Sequence, residues 1–221
     1  MRPPREEAPE ALPEAPEISL ESLFEELDKP LPLPEGVCEY APPAVPSHGD
    51  SSTFYENQSR RLIAGQIKLV VSEAGPIHRD DVINLIRISW GFGRGGKKIQ
   101  NTITGAVSLL QPHLRPILSE AGWYWPVGMD AGGWRGFRTS PDGGENRRKV
   151  QRICSEELAN VMGWLLQGAK SLSEEELCRE AAGQLGWQAG TGVRKEMMRG
   201  LAHLLATERA RDQDGMIVIV D

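Results

Sequence analysis

The chain carries one pattern twice, about 95 residues apart, and this repeat limits the possible folds more than composition does. In the first copy, Ile77-His78-Arg79-Asp80-Asp81-Val82 leads through an apolar stretch to Trp90-Gly91-Phe92-Gly93-Arg94-Gly95-Gly96. Lys98-Ile99 and a periodic run to Leu110 follow. In the second, Leu172-Ser173-Glu174-Glu175-Glu176-Leu177 leads to Leu185-Gly186-Trp187-Gln188-Ala189-Gly190-Thr191-Gly192, then Val193-Arg194 and a periodic run to Leu205. Both copies read as helix, aromatic-glycine loop, helix, and another helical segment precedes each, near residues 55–73 and 155–169.

The second copy resolves an ambiguity in the first. Val82 to Ser89 is rich in Ile and Val and fits a strand, but its counterpart Leu177 to Leu185 is made mostly of helix formers. That counterpart also follows a capping box, Ser173 with Glu176 three positions on. Each copy then ends in a hairpin-like piece. In copy two, Asp214-Gly215 is a strong turn signal ahead of the β-branched run Met216 to Val220. In copy one, Ile117-Leu118 and Trp123-Tyr124-Trp125 flank Glu120-Ala121-Gly122.

Three helices and a hairpin make a winged helix-turn-helix. The expected fold is therefore mainly α with small β-hairpins: tandem winged helix-turn-helix domains at 52–138 and 151–221, joined by a linker over 139–150 that holds Pro141, Gly143 and Gly144. Units of this size support a modest core.

Residues 1–51 differ in composition from the rest. Eleven of the 16 prolines fall there, and residues 1–50 hold 12 acidic against 3 basic residues, a net of −9. The remaining 171 residues hold 19 acidic and 22 basic residues, a net of +3. High charge with few apolar anchors predicts a disordered acidic tail. Within it, Leu20, Leu23, Phe24 and Leu27 share one face of a possible short helix over 19–28. Such a helix either docks in a partner's groove or folds back on its own globular part.

Several classes of chemistry are excluded. No apolar run approaches the ~20 residues of a membrane span, and the Pro- and Glu-rich start has no apolar segment typical of a signal peptide. Cys38, Cys154 and Cys178 are an odd, unpatterned set, which argues against disulfides or zinc and for a reducing, cytoplasmic setting. Gly91, Gly93 and Gly96 spell GxGxxG, and the stretch through Lys97 nearly spells a phosphate loop. However, Lys98 stands where a magnesium-binding hydroxyl is needed, and the segment before the loop reads as helix, so a turn between two helices is expected. His48, His78, His113 and His203 are isolated, and His78 sits at a helix start where it can cap. No cofactor, metal or enzymatic activity is expected.

What remains is a binding surface. With Ile99, Ile103, Ala106, Val107 and Leu110 inward, the third helix of copy one turns Lys97, Lys98, Asn101, Thr104 and Ser108 outward, with Arg94 in the loop before it. In a winged helix this helix enters the major groove, where lysine attracts phosphate and Asn101 can read an adenine edge. In copy two, Val193, Met197, Leu201 and Leu205 point inward and Arg194, Lys195, Arg199 and His203 outward, with Glu196 opposing a phosphate backbone. These polar faces are equally readable as solvated helix surface. Arg135, Arg138, Arg147, Arg148 and Lys149 flank the linker and either track a backbone or form a flexible basic segment. Trp123, Tyr124, Trp125 and Trp134 either stack on unpaired bases or close a small core.

Glu73-Ala74-Gly75-Pro76-Ile77-His78, then Val82, then Trp90-Gly91-Phe92-Gly93-Arg94-Gly95-Gly96-Lys97-Lys98-Ile99 resemble a known family. It is the uncharacterised C-terminal domain of large bacterial superfamily I helicases that also carry a restriction-endonuclease-like nuclease domain. The resemblance covers about residues 52–221 and implies a DNA-related role, with a helicase or nuclease as partner. Two departures stand out. Asn84-Leu85 occupies a place where members often show paired basic residues, and the chain holds no helicase or nuclease domain. The expected function is that of a DNA-binding accessory module of such a system. The alternative is a protein-interaction adaptor that docks on the larger enzyme without touching DNA.

Overall fold

A computed structural model describes residues 36–47, 49–140 and 147–220. About half of these are helical, with three small sheets. The proposed tail helix, with Leu20, Leu23, Phe24 and Leu27, lies outside the described residues, as does the middle of the 139–150 linker.

The repeat is plain in the element order. Copy one runs α1 (Asn57–Ala74), β2 (Ile77–His78), α2 (Arg79–Ser89), α3 (Lys97–Ala106), β3 (Ile117–Leu118) and β4 (Trp123–Trp125). Copy two runs α4 (Ser155–Ala169), β6 (Ser171–Ser173), α5 (Glu174–Gln184), α6 (Thr191–Ala206), β7 (Ala210–Gln213) and β8 (Met216–Ile219). In each copy the strand before the second helix joins the terminal hairpin, giving antiparallel sheets of order β2-β4-β3 and β6-β8-β7. The two-residue β2 is too short to show alternation in sequence, so only the hairpins were legible.

Local signals account for the helices. On α1, Ile63, Ile67, Val70, Val71 and Ala74 recur at helical spacing, and all are buried. The helix α2 starts at His78, whose Nδ1 accepts the Asp80 N–H at 3.1 Å, and it buries Val82, Ile83 and Ile86. The helix α5 starts on the expected capping box. The Ser173 hydroxyl accepts from the Glu176 N–H at 3.3 Å, and the Glu176 carboxylate accepts from the Ser173 N–H at 3.1 Å. After α2 and α5, the loops turn at Gly91 and Gly186, both at φ +76°, where a side chain would be strained. The glycine-rich stretch of copy one is therefore a helix-to-helix turn.

Each copy has its own core. Phe54, Ile63, Ile67, Ile86, Trp90 and Ile103 centre the first; Leu158, Met162, Leu166, Leu177, Met197 and Leu204 centre the second. Trp123, Tyr124 and Trp125 are buried at the β4 sheet, and Trp134 packs edge-on against Trp125 at 5.7 Å. The aromatic group closes a core and offers no stacking platform. In copy two, α4 and α6 cross closely at Gly200, where a Cβ would sit 2.4 Å from that of Leu158.

The ordered part begins before Ser52, unlike the expectation of an unstructured tail through residue 51. The strand β1 (Val37–Glu39) pairs in parallel with β5 (Phe137–Thr139), in register Val37↔Phe137 to Glu39↔Thr139. Farther along, the Pro46 carbonyl accepts from Gln66 on α1 at 2.8 Å. Extended backbone of this kind suits proline-rich sequence, and the partner of β1 lies 100 residues away, beyond the reach of a compositional argument.

Candidate nucleic-acid interface

The helix α3 begins at Gly96, which has no side chain, and no side-chain cap and no acidic residue lie in its first turn. Its first N–H groups therefore point outward with the positive end of the helix dipole, an arrangement that favours an anion. Lys97 and Lys98 are exposed at that end, and Asn101 is exposed one turn on. Packing of α3 on α1 adds two residues that the sequence reading missed. Tyr55 and Arg60 join Lys97, Lys98, Asn101 and Thr102 around one open hollow. The Lys98 ammonium lies 4.3 Å from the centre of the Tyr55 ring. Neither residue was findable by spacing, because the helix-to-helix contact that brings them to α3 is tertiary.

The other expected copy-one residues separate from this hollow. Arg94 lines a neighbouring depression with Asp80, Asn84 and Arg87. Thr104 is turned to a third depression with Arg79, Arg115 and Tyr124, and its hydroxyl donates to the Gln100 carbonyl at 2.9 Å.

Copy two is arranged differently at the equivalent place. The helix α6 also starts on a glycine, Gly190, without a side-chain cap. Its cations, however, meet acids. Arg194 pairs with Glu174 at 3.2 Å, both well exposed. Arg199 turns inward, contrary to the expectation of an outward face: it donates to Glu196 at 3.1 Å and to the Ser155 hydroxyl at 2.9 Å, and holds the Ile153 carbonyl. Lys195 stays exposed. The β7–β8 hairpin carries Asp212 near the end of β7 and Asp214 in the turn, which repel phosphate.

Two of the basic residues around the linker, Arg138 and Arg148, are taken up by a buried carboxylate. Arg138 and Arg148 both face Glu157, which is wholly buried in the first turn of α4. One carboxylate oxygen accepts from the Arg138 main-chain N–H at 2.9 Å, from its Nε at 3.0 Å and from Arg148 Nη2 at 2.7 Å. The other accepts from Arg138 Nη2 and Arg148 Nη1, each at 2.7 Å. Arg138 also donates to the Ala74 and Pro76 carbonyls at the end of α1, so this one side chain ties the two copies together. Burial alone would push the Glu157 carboxyl up, but the two guanidinium groups outweigh it and hold it at about 2. Burial disfavours charge on Arg138, but Glu157 overcomes that and raises its pKa.

Arg147 lies 3.8 Å over the Trp187 ring and donates to the Gly186 carbonyl at 2.9 Å. Arg135 donates to the Gly132 carbonyl at 2.7 Å. Both remain exposed, as does Lys149. Beside the buried cluster, Arg152 bonds Asp80 at 2.8 Å and also contacts the His78 ring. Burial and Arg152 lower the His78 pKa.

Among the described residues, no group of three His, Cys, Asp or Glu side chains is placed to hold a metal ion, and no helix is long and apolar enough to cross a membrane. Cys154 and Cys178 are buried free thiols and Cys38 is an exposed one; burial pushes the Cys178 thiol up to about 11.

Residues 52–101 match the family described as Protein of unknown function (DUF3320). The match runs from the turn before α1 into the first half of α3, so it takes in Tyr55, Arg60, Lys97 and Lys98. No curated protein and no solved structure matches the chain.

Proposed function

We propose that both copies are winged helix-turn-helix units and that the chain is a DNA-binding accessory module of a helicase/nuclease-type system, acting by binding and not by catalysis. Two antiparallel three-stranded sheets, each built from a short strand and the terminal hairpin beside three helices, support the winged-helix reading. The resemblance of the 73–99 stretch to helicase-associated domains supports the setting.

One observation carries the binding reading. The uncapped, acid-free start of α3 carries Lys97 and Lys98 beside Arg60, around an open hollow. On this reading the contact surface is that of copy one, at Arg60, Lys97, Lys98 and Asn101. An anisotropy titration of the full chain with a labelled duplex at several salt concentrations tests it. Salt-sensitive binding that collapses on changing Lys97 and Lys98 to alanine is expected. Binding unaltered by that change would remove α3 from the interface.

The ion-paired surface of copy two favours a second role, as an adaptor. Where Arg194 is matched by Glu174 and the hairpin tip is acidic, a protein partner is better suited than a polyanion. On this reading, changing Arg194 and Lys195 to alanine leaves both nucleic-acid affinity and its salt dependence unchanged.

A further inference from the structure

We infer that the hollow at the start of α3 takes an unpaired base on the Tyr55 ring, so that the preferred ligand is a strand end or a duplex-to-single-strand junction and not continuous duplex. The inference rests on the nucleic-acid reading above and specifies its substrate class.

Tyr55 and Phe54 are sequence neighbours with opposite placements. Phe54 is fully buried, with Trp90 at 5.4 Å and Phe92 at 4.9 Å, each edge-to-face. It closes this end of the first core. Tyr55 meets Phe54 edge-on at 5.0 Å but stays 41% exposed. The core does not need its ring, and a large aromatic left on the surface is available to a partner. Its surroundings define that partner. Arg60, Lys97 and Lys98 line the same hollow, no acidic residue does, and Asn101 adds an amide able to pair with a base edge. An exposed ring among cations at a groove is the pattern by which single strands are held: cations take the backbone and the ring takes a base face.

The Lys98 contact shows how the two parts are coupled. Its ammonium covers one side of the Tyr55 ring. A phosphodiester at the start of α3 draws Lys98 toward itself and uncovers that side for the base attached to the same strand. In a continuous duplex every base is stacked and paired, so the ring gains nothing. At an end or junction the base is already free.

The test compares a blunt duplex with the same duplex bearing a short single-stranded overhang that contains 2-aminopurine, both titrated with the full chain. The overhang is expected to bind about tenfold more tightly, as one stacked base allows, with 2-aminopurine fluorescence quenched on binding. Tyr55→Leu should abolish the preference and the quenching, and Tyr55→Phe should keep both. Equal affinity for the two probes, or unquenched fluorescence in the wild-type complex, overturns the inference. If salt-sensitive binding through Lys97 and Lys98 persists in that case, the broader reading still stands. If neither probe binds, both fail together. Because the quenching is read on the unaltered protein, the outcome does not depend on how well a Tyr55 variant folds.

Discussion

Glu157 holds Arg138 at three points: the main-chain N–H at 2.9 Å, Nε at 3.0 Å and Nη2 at 2.7 Å. The same guanidinium reaches the Ala74 carbonyl at the end of α1 and the Pro76 carbonyl just beyond it. The first turn of α4 and the end of α1 therefore share one buried arginine, and the charge there serves cohesion between the copies.

Removing the carboxylate strands both arginines. Glu157→Gln is expected to lower stability by about 3–5 kcal/mol, because two buried guanidinium groups lose their counter-charge. Thermal or denaturant unfolding at neutral pH measures this. A loss under about 1 kcal/mol would mean that the arginines find other partners.

The same group sets an acid limit. Glu157 in the fold titrates at about 2, below its ordinary 4.5. Its stabilisation is complete above 4.5 and fades as pH falls from there toward 2, by an amount on the order of 3 kcal/mol. Wild-type unfolding midpoints should drop across that interval, and the Glu157→Gln profile should be flatter there.

His78 acts in a milder range. Its pKa lies below the ordinary 6.5, so the fold prefers the neutral ring that caps α2. The unfolded chain takes up the proton first, and stability is lost as pH falls below 6.5. Asparagine is a good cap that does not titrate. Between about pH 7 and about pH 5 the wild-type midpoint should decline more than that of His78→Asn.

Salt dependence separates the two kinds of arginine and lysine. Changing Lys97 and Lys98 to alanine should reduce the log–log salt slope of DNA binding by roughly one unit per lost phosphate contact, without loss of stability. Arg138→Met should do the reverse, lowering the unfolding midpoint while leaving the slope of the folded fraction unchanged. An altered slope in Arg138→Met would return the linker arginines to the interface.

Gly200 and Gly192 lie on one helix and should respond oppositely to alanine. At Gly200 the new Cβ meets Leu158, its Cβ at 2.4 Å and its carbonyl carbon at 3.0 Å, and overpacking should cost about 1–3 kcal/mol. At Gly192 nothing lies within 4 Å, so Gly192→Ala should stabilise α6 by up to about 1 kcal/mol. Paired denaturant titrations decide it.

Much of this fold was legible because it is repeated. The helix formers of Leu177 to Leu185 identified Val82 to Ser89 as helix, and the Ser173–Glu176 box marked the start of α5 within one residue. The inward faces of Ile99, Ile103 and Met197, Leu201 followed from period 3.6. What could not be read were pairings across long separations. Arg138 and Arg148 sit in a sequence that reads as a basic linker, and only the fold brings Glu157 between them. Val37 to Glu39 sits in a proline-rich stretch, and only β5 makes it a strand. For the site the same limit applied: Lys97, Lys98 and Asn101 were visible at a helix start, but Tyr55 and Arg60 reach them only through the packing of α1 on α3.

The strand β1 has a practical consequence for dissecting this chain. Tyr40, which follows it, donates its N–H to Thr139 and sets its ring 4.8 Å from the Arg148 guanidinium. Trimming everything before Ser52 to shed acidic charge would therefore also pull out a staple between distant parts of the molecule. Any gain or loss in ligand capture would then mix two causes. A cut before Gly36 leaves that staple in place.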